Sequence, residues 1–226
     1  VPNDKVARAA VEITQAEGIP LSTADSAQDL GVGTRGGRRE AKVMRERANK
    51  AAKRSSKVKI LRKVDIAAQK LYATGVKPQQ GYGAVVQGAA PSLVAAYRRN
   101  MITCGGGWPQ GACGLSLVAW TYGQGADPSV DMVVEQVRAW ISLWEGMDPK
   151  TKVEVEQAWV IEVGRRAKTP PQARWRRVGG PMAATIHVLC EQGWAPLRPD
   201  RWVFTPLELE GTIGEEPNTN FEILKL

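Results

Sequence analysis

Three cysteines, one histidine and two phenylalanines in 226 residues leave little for the commonest kinds of site chemistry. Cys104, Cys113 and Cys190 are odd in number and widely spaced, with no C-x-x-C pair and only His187 as company. Neither a disulfide framework nor a zinc site is supported. No run approaches the roughly 20 apolar residues of a membrane span, and the first residues are polar, unlike a secretory leader. No membrane insertion and an intracellular location are expected. The chain has no G-x-S-x-G, no Walker phosphate loop, no H-E-x-x-H and no adjacent Asp-Asp pair for two-metal chemistry. No catalytic residue, metal ligand or cofactor is therefore expected, and His187, on an apolar helical stretch, is expected as a packed side chain. Internal repeats are also lacking. The chain opens on Val1 rather than Met, as expected of a fragment or a processed product.

What the sequence has instead is concentrated charge. From Arg35 to Lys70 there are 14 lysines and arginines, opposed only by Glu40, Glu46 and Asp65, a local charge of +11. The whole chain carries +8, so everything outside this run sums to −3. Met44, Ala48, Ala51, Ser55 and Val58, continued by Leu61, Val64, Ala68 and Leu71, recur at spacings of three and four, which predicts one long amphipathic helix. Three successive steps of three after Ser55 rotate its apolar face, so a bend or break is expected there. At roughly 1.5 Å per residue the helix would be about 50 Å long.

A solvated helix gains by alternating charge signs at i and i+4, whereas like charges crowd here and call for a counter-charge. Nucleic-acid phosphate supplies one, with counterion release driving association. An acidic protein partner, an anionic membrane surface or a merely solvated face are the alternatives. The membrane reading is the weakest, because the first half of the apolar face is mostly Ala and lacks the Trp, Phe or Leu of an interfacial anchor. The candidate nucleic-acid-binding residues are Arg38, Arg39, Lys42, Arg45, Lys50, Lys53, Arg54 and Lys57. To these are added Arg174, Trp175, Arg176 and Arg177, where an aromatic ring able to stack on a base stands among three arginines. Trp140 and Trp144, four apart, have core spacing instead.

Elsewhere the punctuation is that of a helical protein. A short helix from Pro2-Asn3-Asp4 to Gly18 leads into one or two short strands between Ile19 and Val32, and Gly33, Gly36 and Gly37 form a hinge into the basic helix. A short helix is expected around Tyr82–Gln87, another from Pro91 to Met101, and an apolar one near Leu115–Thr121 after a Gly-rich loop. Asp127-Pro128 and Asp148-Pro149 each place Asp at an N-cap and Pro at N1, a strong helix start. Pro170-Pro171 breaks the chain, Gly180-Pro181 opens a helix ended by Gly193, and Trp194–Phe204 reads as a hairpin turning near Pro199-Asp200. A turn-rich acidic tail follows through Glu208, Glu210, Glu215 and Glu216. The fold class is mainly α, with minor β-structure near both ends.

Several of these stretches together resemble the region after the polymerase core in non-LTR (LINE-type) retrotransposon reverse transcriptases, the protist, dinoflagellate-like forms especially. The stretches are Asp29-Leu30-Gly31-Val32, the glycines with the Arg-rich helix, Pro78-Gln79-Gln80-Gly81-Tyr82-Gly83, and Gly180-Pro181-Met182-Ala183-Ala184-Thr185 ahead of Gly193-Trp194. The resemblance implies a Leu-Gly-Val strand at the palm edge within residues 1–33, a basic thumb over 34–104, a helical connector over 105–193 and a short hairpin with acidic tail over 194–226. It implies a module that grips a template-primer duplex of RNA, DNA or hybrid by its backbone, nuclear if the parent element is active. The palm's catalytic aspartates are not in this sequence, so no catalysis is expected from this chain alone. A retrotransposon-derived structural subunit, docked on RNA or an acidic partner among other subunits of a larger assembly, is the alternative function.

Overall fold

The structure, a computed structural model, describes residues 11–13, 15–16, 27–29, 32–35, 38–39, 41–204 and 209–213. Residues 11–13 and 15–16 are helical, and the rest of the helix expected from Pro2 lies outside the described residues. Strands β1 (Ala27–Asp29), β2 (Val32–Arg35) and β3 (Arg38–Arg39) form an antiparallel sheet in that order. Asp29 pairs with Val32 and Arg35 with Arg38. The Leu-Gly-Val strand expected at the palm edge lies mostly outside the described residues, which hold only its Val32, at the start of β2. One expectation is corrected: Gly33 is no hinge but a strand residue paired with Gln28.

The basic run is not one helix. Arg35, Arg38 and Arg39 belong to strands, and the helix proper, α1, spans Ala41–Arg62. Its 22 residues give a length of about 33 Å rather than 50 Å at ~1.5 Å per residue. No break occurs at Ser55, whose hydroxyl donates to the Ala51 carbonyl at 2.9 Å while the helix runs on. The end comes at Arg62, where Asp65 offers the backbone a local alternative: its carboxylate accepts from Ala67 N at 2.8 Å and caps a 3-10 turn over Ile66–Lys70. A π-helical turn, Tyr72–Val76, continues the reversal. Met44, Ala48, Ala51, Ser55 and Val58 are buried as expected, but Leu61, Val64 and Leu71 are exposed, Val64 at 91%. Each step of three falls about 60° short of a full turn, so the later seam drifts away from the core.

Short side chains in that seam let the helix α4 (Pro91–Cys104) pack along α1. The chain between these two helices carries α2 (Lys77–Gly81), packed on α1, and α3 (Ala84–Gln87). A buried polar chain ties the group together. Asn100 donates to the Ala48 carbonyl at 3.4 Å and to Gln80 Oε1 at 3.0 Å, and Gln80 Nε2 donates to the Tyr72 hydroxyl at 3.1 Å. Burial pushes the Tyr72 phenol well above its ordinary pKa, keeping it neutral.

Four of the remaining helices follow the sequence closely: α5 (Gly114–Tyr122), α6 (Pro128–Glu145), α7 (Pro149–Ala167) and, after the one-turn α8 (Pro171–Arg174) that starts where only a break was expected, α9 (Pro181–Glu191). Asp127 accepts from Ser129 N, and Asp148 from Lys150 N and Thr151 N, so both N-caps work as read. Strands β4 (Trp194–Pro196), β5 (Arg201–Phe204) and β6 (Leu209–Thr212) make a second antiparallel sheet. Glu210 is thus in a strand, paired with Val203, where a turn-rich tail was expected; the pairing depends on β5, and no local signal carries it. Trp140, Trp144, Trp159, Trp194 and Trp202 are buried in one core between α6, α7, α9 and this sheet. The boundary expected at residues 104 and 105 is spanned by Lys77 Nζ to Asp131 Oδ2 at 2.7 Å, Arg98 Nε to Asp127 Oδ2 at 2.5 Å, and Tyr122 OH to the Met101 carbonyl at 3.0 Å. The fold is mainly α, and among the described residues no helix is long and apolar enough to cross a membrane.

Candidate nucleic-acid interface

With Met44, Ala51 and Ser55 turned inward, the helical period of α1 fixes where its charges go. Lys42, Lys53 and Lys57 point directly away from the buried seam, Lys50 lies beside them, and all four are exposed. Arg45 sits on one flank, also exposed. Among the described residues Arg45, Lys50, Lys53 and Lys57 have no carboxylate partner. The opposite flank is different. Arg54 Nη1 donates to the Gly75 carbonyl at 3.2 Å, and Arg47 Nη1 donates to the Tyr82 carbonyl at 2.8 Å with its guanidinium 4.7 Å from the Tyr82 ring centroid. Arg62 Nε donates to Gln69 Oε1 at 3.3 Å, and its guanidinium lies so near Gly106 that a Cβ there would meet Nη1 at 2.6 Å. Arg47 and Arg54 on this flank, with Arg62 at the end of the buried side, tether the helix to the chain that follows it. Arg54, expected to meet phosphate, is therefore partly occupied with a backbone carbonyl, because a guanidinium can hold several acceptors at once.

The two basic segments, more than a hundred residues apart in sequence, meet. Strand β3, which carries Arg38 and Arg39, lies against the 3-10 turn Trp175–Arg177. Next to it a groove of about 670 Å³ is walled by Arg45 and Asn49 of α1, Ser92 at the start of α4, and Gln172, Trp175 and Arg176. Arg176 and Arg177 are exposed. Arg174 is half-buried, its Nε donating to the Thr169 carbonyl at 3.1 Å. Trp175 is half-buried too: its indole N–H donates to Glu191 Oε1, its ring sits 5.6 Å from the His187 ring, and it packs with Val178, Ala183 and Ala184. It shapes the groove while serving the fold. Asn49, Ser92 and Gln172 were not singled out from sequence; polar residues amid many polar neighbours carry no local signal.

His187 is 2% exposed, and burial, reinforced by Arg166, Arg165 and Arg174, pushes its pKa down to about 4. It is a neutral, packed imidazole at neutral pH. Trp140 and Trp144 are core residues as their spacing implied. Among the described residues no group of three His, Cys, Asp or Glu side chains could hold a metal ion.

No family model matches the chain, and no curated protein or solved structure matches it.

Proposed function

We propose that this chain binds nucleic acid through the phosphate backbone, as a thumb and connector would in a reverse transcriptase of the non-LTR type. The observation that carries the reading is the solvent face of α1, where Lys42, Lys50, Lys53 and Lys57 stand together beside the groove that joins Arg45 to Arg176. Lysine point charges on a helix face follow phosphates without reading base edges, so affinity should be nearly indifferent to sequence. A helix of about 33 Å matches roughly one turn of a duplex. A second reading, a structural subunit docked within a larger assembly on RNA or an acidic partner, is favoured by a different observation. Ile60, Leu61, Val64 and Ile66 are all exposed where the basic helix ends, an apolar patch that phosphate does not cover.

A salt titration of binding to an RNA–DNA hybrid separates the two. Replacing Lys42, Arg45, Lys50, Lys53 and Lys57 with Gln, while keeping the tether Arg54, should lower the slope of log K against log salt by about 4.5, near 0.9 for each phosphate no longer neutralised. Equal slopes for the variant and the parent protein would exclude the phosphate-gripping reading and leave the docking one.

A further inference from the structure

The groove between α1, the start of α4 and the 174–177 turn is lined by more hydrogen-bonding groups than the fold uses. Arg45, Asn49, Ser92, Gln172 and Arg176 are all exposed there, and among the described residues none of their side chains makes a hydrogen bond or an ion pair. No carboxylate is among the groove's described lining residues. The surface between these polar groups is apolar, with Pro91 and Leu93 of α4 and Pro171 and Trp175 of the following turns. Two guanidiniums with nothing to neutralise them call for an anion, the amides and the hydroxyl for a ligand with donors and acceptors of its own, and the apolar walls for the flat face of a ring. An unpaired nucleotide has all three.

Size and position say how that nucleotide arrives. At about 670 Å³ the groove falls within the range of small-molecule sites, roughly 300–1,000 Å³, which holds a nucleotide whose base is unpaired and shuts out a stacked, base-paired stretch. Asn49 lies one helical turn before Lys53 on the same side of α1, so the groove opens beside the lysine face rather than across the molecule from it. A backbone laid along Lys57 and Lys53 therefore runs on to Asn49 and Arg45, and can enter the groove where its pairing stops.

We propose that the groove is a site for the single-stranded extension of a duplex held on α1, with Arg45 and Arg176 on its phosphates and the walls of Pro91 and Trp175 against its base. This rests on the phosphate-gripping reading of the lysines and adds to it a preference for the junction of paired and unpaired strand. RNA–DNA hybrids, blunt or with two unpaired thymidines at the 5′ or the 3′ end of the DNA strand, test it on the whole chain. One of the extended hybrids should bind about 10-fold tighter than the blunt one, within the range for a single base on an aromatic wall. Its salt slope should be steeper by about 1.4, near 0.7 for each of two single-strand phosphates. With both unpaired bases removed as abasic sites, the steeper slope should remain and most of the gain in affinity should go. Gln172→Glu, of similar size at an exposed position, sets a carboxylate beside the phosphates, and the ratio of extended to blunt affinity should fall toward one. If the blunt hybrid binds and neither extension binds tighter, or if Gln172→Glu leaves the ratio unchanged, the groove proposal is overturned while the lysine reading stands. If no hybrid binds, both fall. Loss of the extended hybrid's advantage in equimolar thymidine monophosphate would assign the groove to a free nucleotide and overturn the proposal as well.

Discussion

The basic helix α1 and the tryptophan core between α6 and α7 are secured by opposite means. In the core, Trp140 and Trp159 meet at a ring-centroid distance of 5.2 Å, and their indole N–H groups donate to the Pro199 and Pro196 carbonyls, each at 2.9 Å. Large apolar surface does the holding there, and every polar atom of these rings is matched. In α1 the buried face is Met44, Val58 and three small residues, and much of the hold comes from arginines clamped onto carbonyls at 75 and 82 and from the Asn100–Gln80–Tyr72 chain. The contrast teaches that Lys50, Lys53 and Lys57 are spare in a strict sense. Neither packing nor tethering uses them, so what gathering charge on that face costs the fold is the repulsion between neighbouring lysines, which an outside counter-charge relieves.

Trp159→Ala tests the core half of the contrast with the largest effect. Deleting a fully buried indole should destabilise the protein by about 3–5 kcal/mol, read as a lower urea midpoint with unchanged slope. The helix half is tested by Ala51→Leu. Ala51 is 0% exposed, so overpacking should cost about 1–3 kcal/mol, while Lys53→Gln on the opposite face of the same helix should stay within about 0.5 kcal/mol. A Lys53→Gln cost as large as that of Ala51→Leu would break the claim that these lysines are spare.

The smallest effect sharpens the picture where the two regions meet, at His187 beside Trp175. Its folded pKa, about 4, lies below the ordinary 6.5, so between those values the unfolded chain binds a proton that the folded one refuses. The stabilisation is fully present above pH 6.5 and is lost as pH falls toward about 4. His187→Phe should flatten the fall of the urea midpoint across that window relative to the parent protein. Identical pH profiles would mean that the imidazole is not held neutral by burial.

Much of the fold was legible because its signals are local. Asp127-Pro128 and Asp148-Pro149 set helix starts through caps one to three residues away, and Trp140 and Trp144 declare a core face by spacing alone. The end of α1 was missed because a lysine-rich period continues past Arg62, while the feature that stops it, the Asp65 cap, looks like any surface aspartate. The candidate interface was half legible. Charge density identified α1, and the Arg-Trp-Arg-Arg stretch identified the 174–177 turn, yet nothing in either says that they share a groove, a fact settled by long-range packing through α4. Nor could sequence tell Arg54 from Lys53, since which flank carries the tether depends on where Gly75 lies after two non-α turns.

Gly88 has a consequence for how this chain tolerates change. Its φ is +65°, and a Cβ built there would sit 2.7 Å from Trp175 Cζ3 and 3.2 Å from the Ala184 methyl, so even alanine is refused on backbone and on spatial grounds together. The residue has no side chain to bury, no charge and no hydrogen-bonding group of its own beyond the main chain. It nevertheless holds the indole in the one position that walls the groove in front and reaches Glu191 behind. A saturation library scored for folding alone would therefore show position 88 to be as intolerant of substitution as Trp159, amid a surface where lysine codons drift freely, and the position near the interface most constrained by folding would be one that touches no ligand.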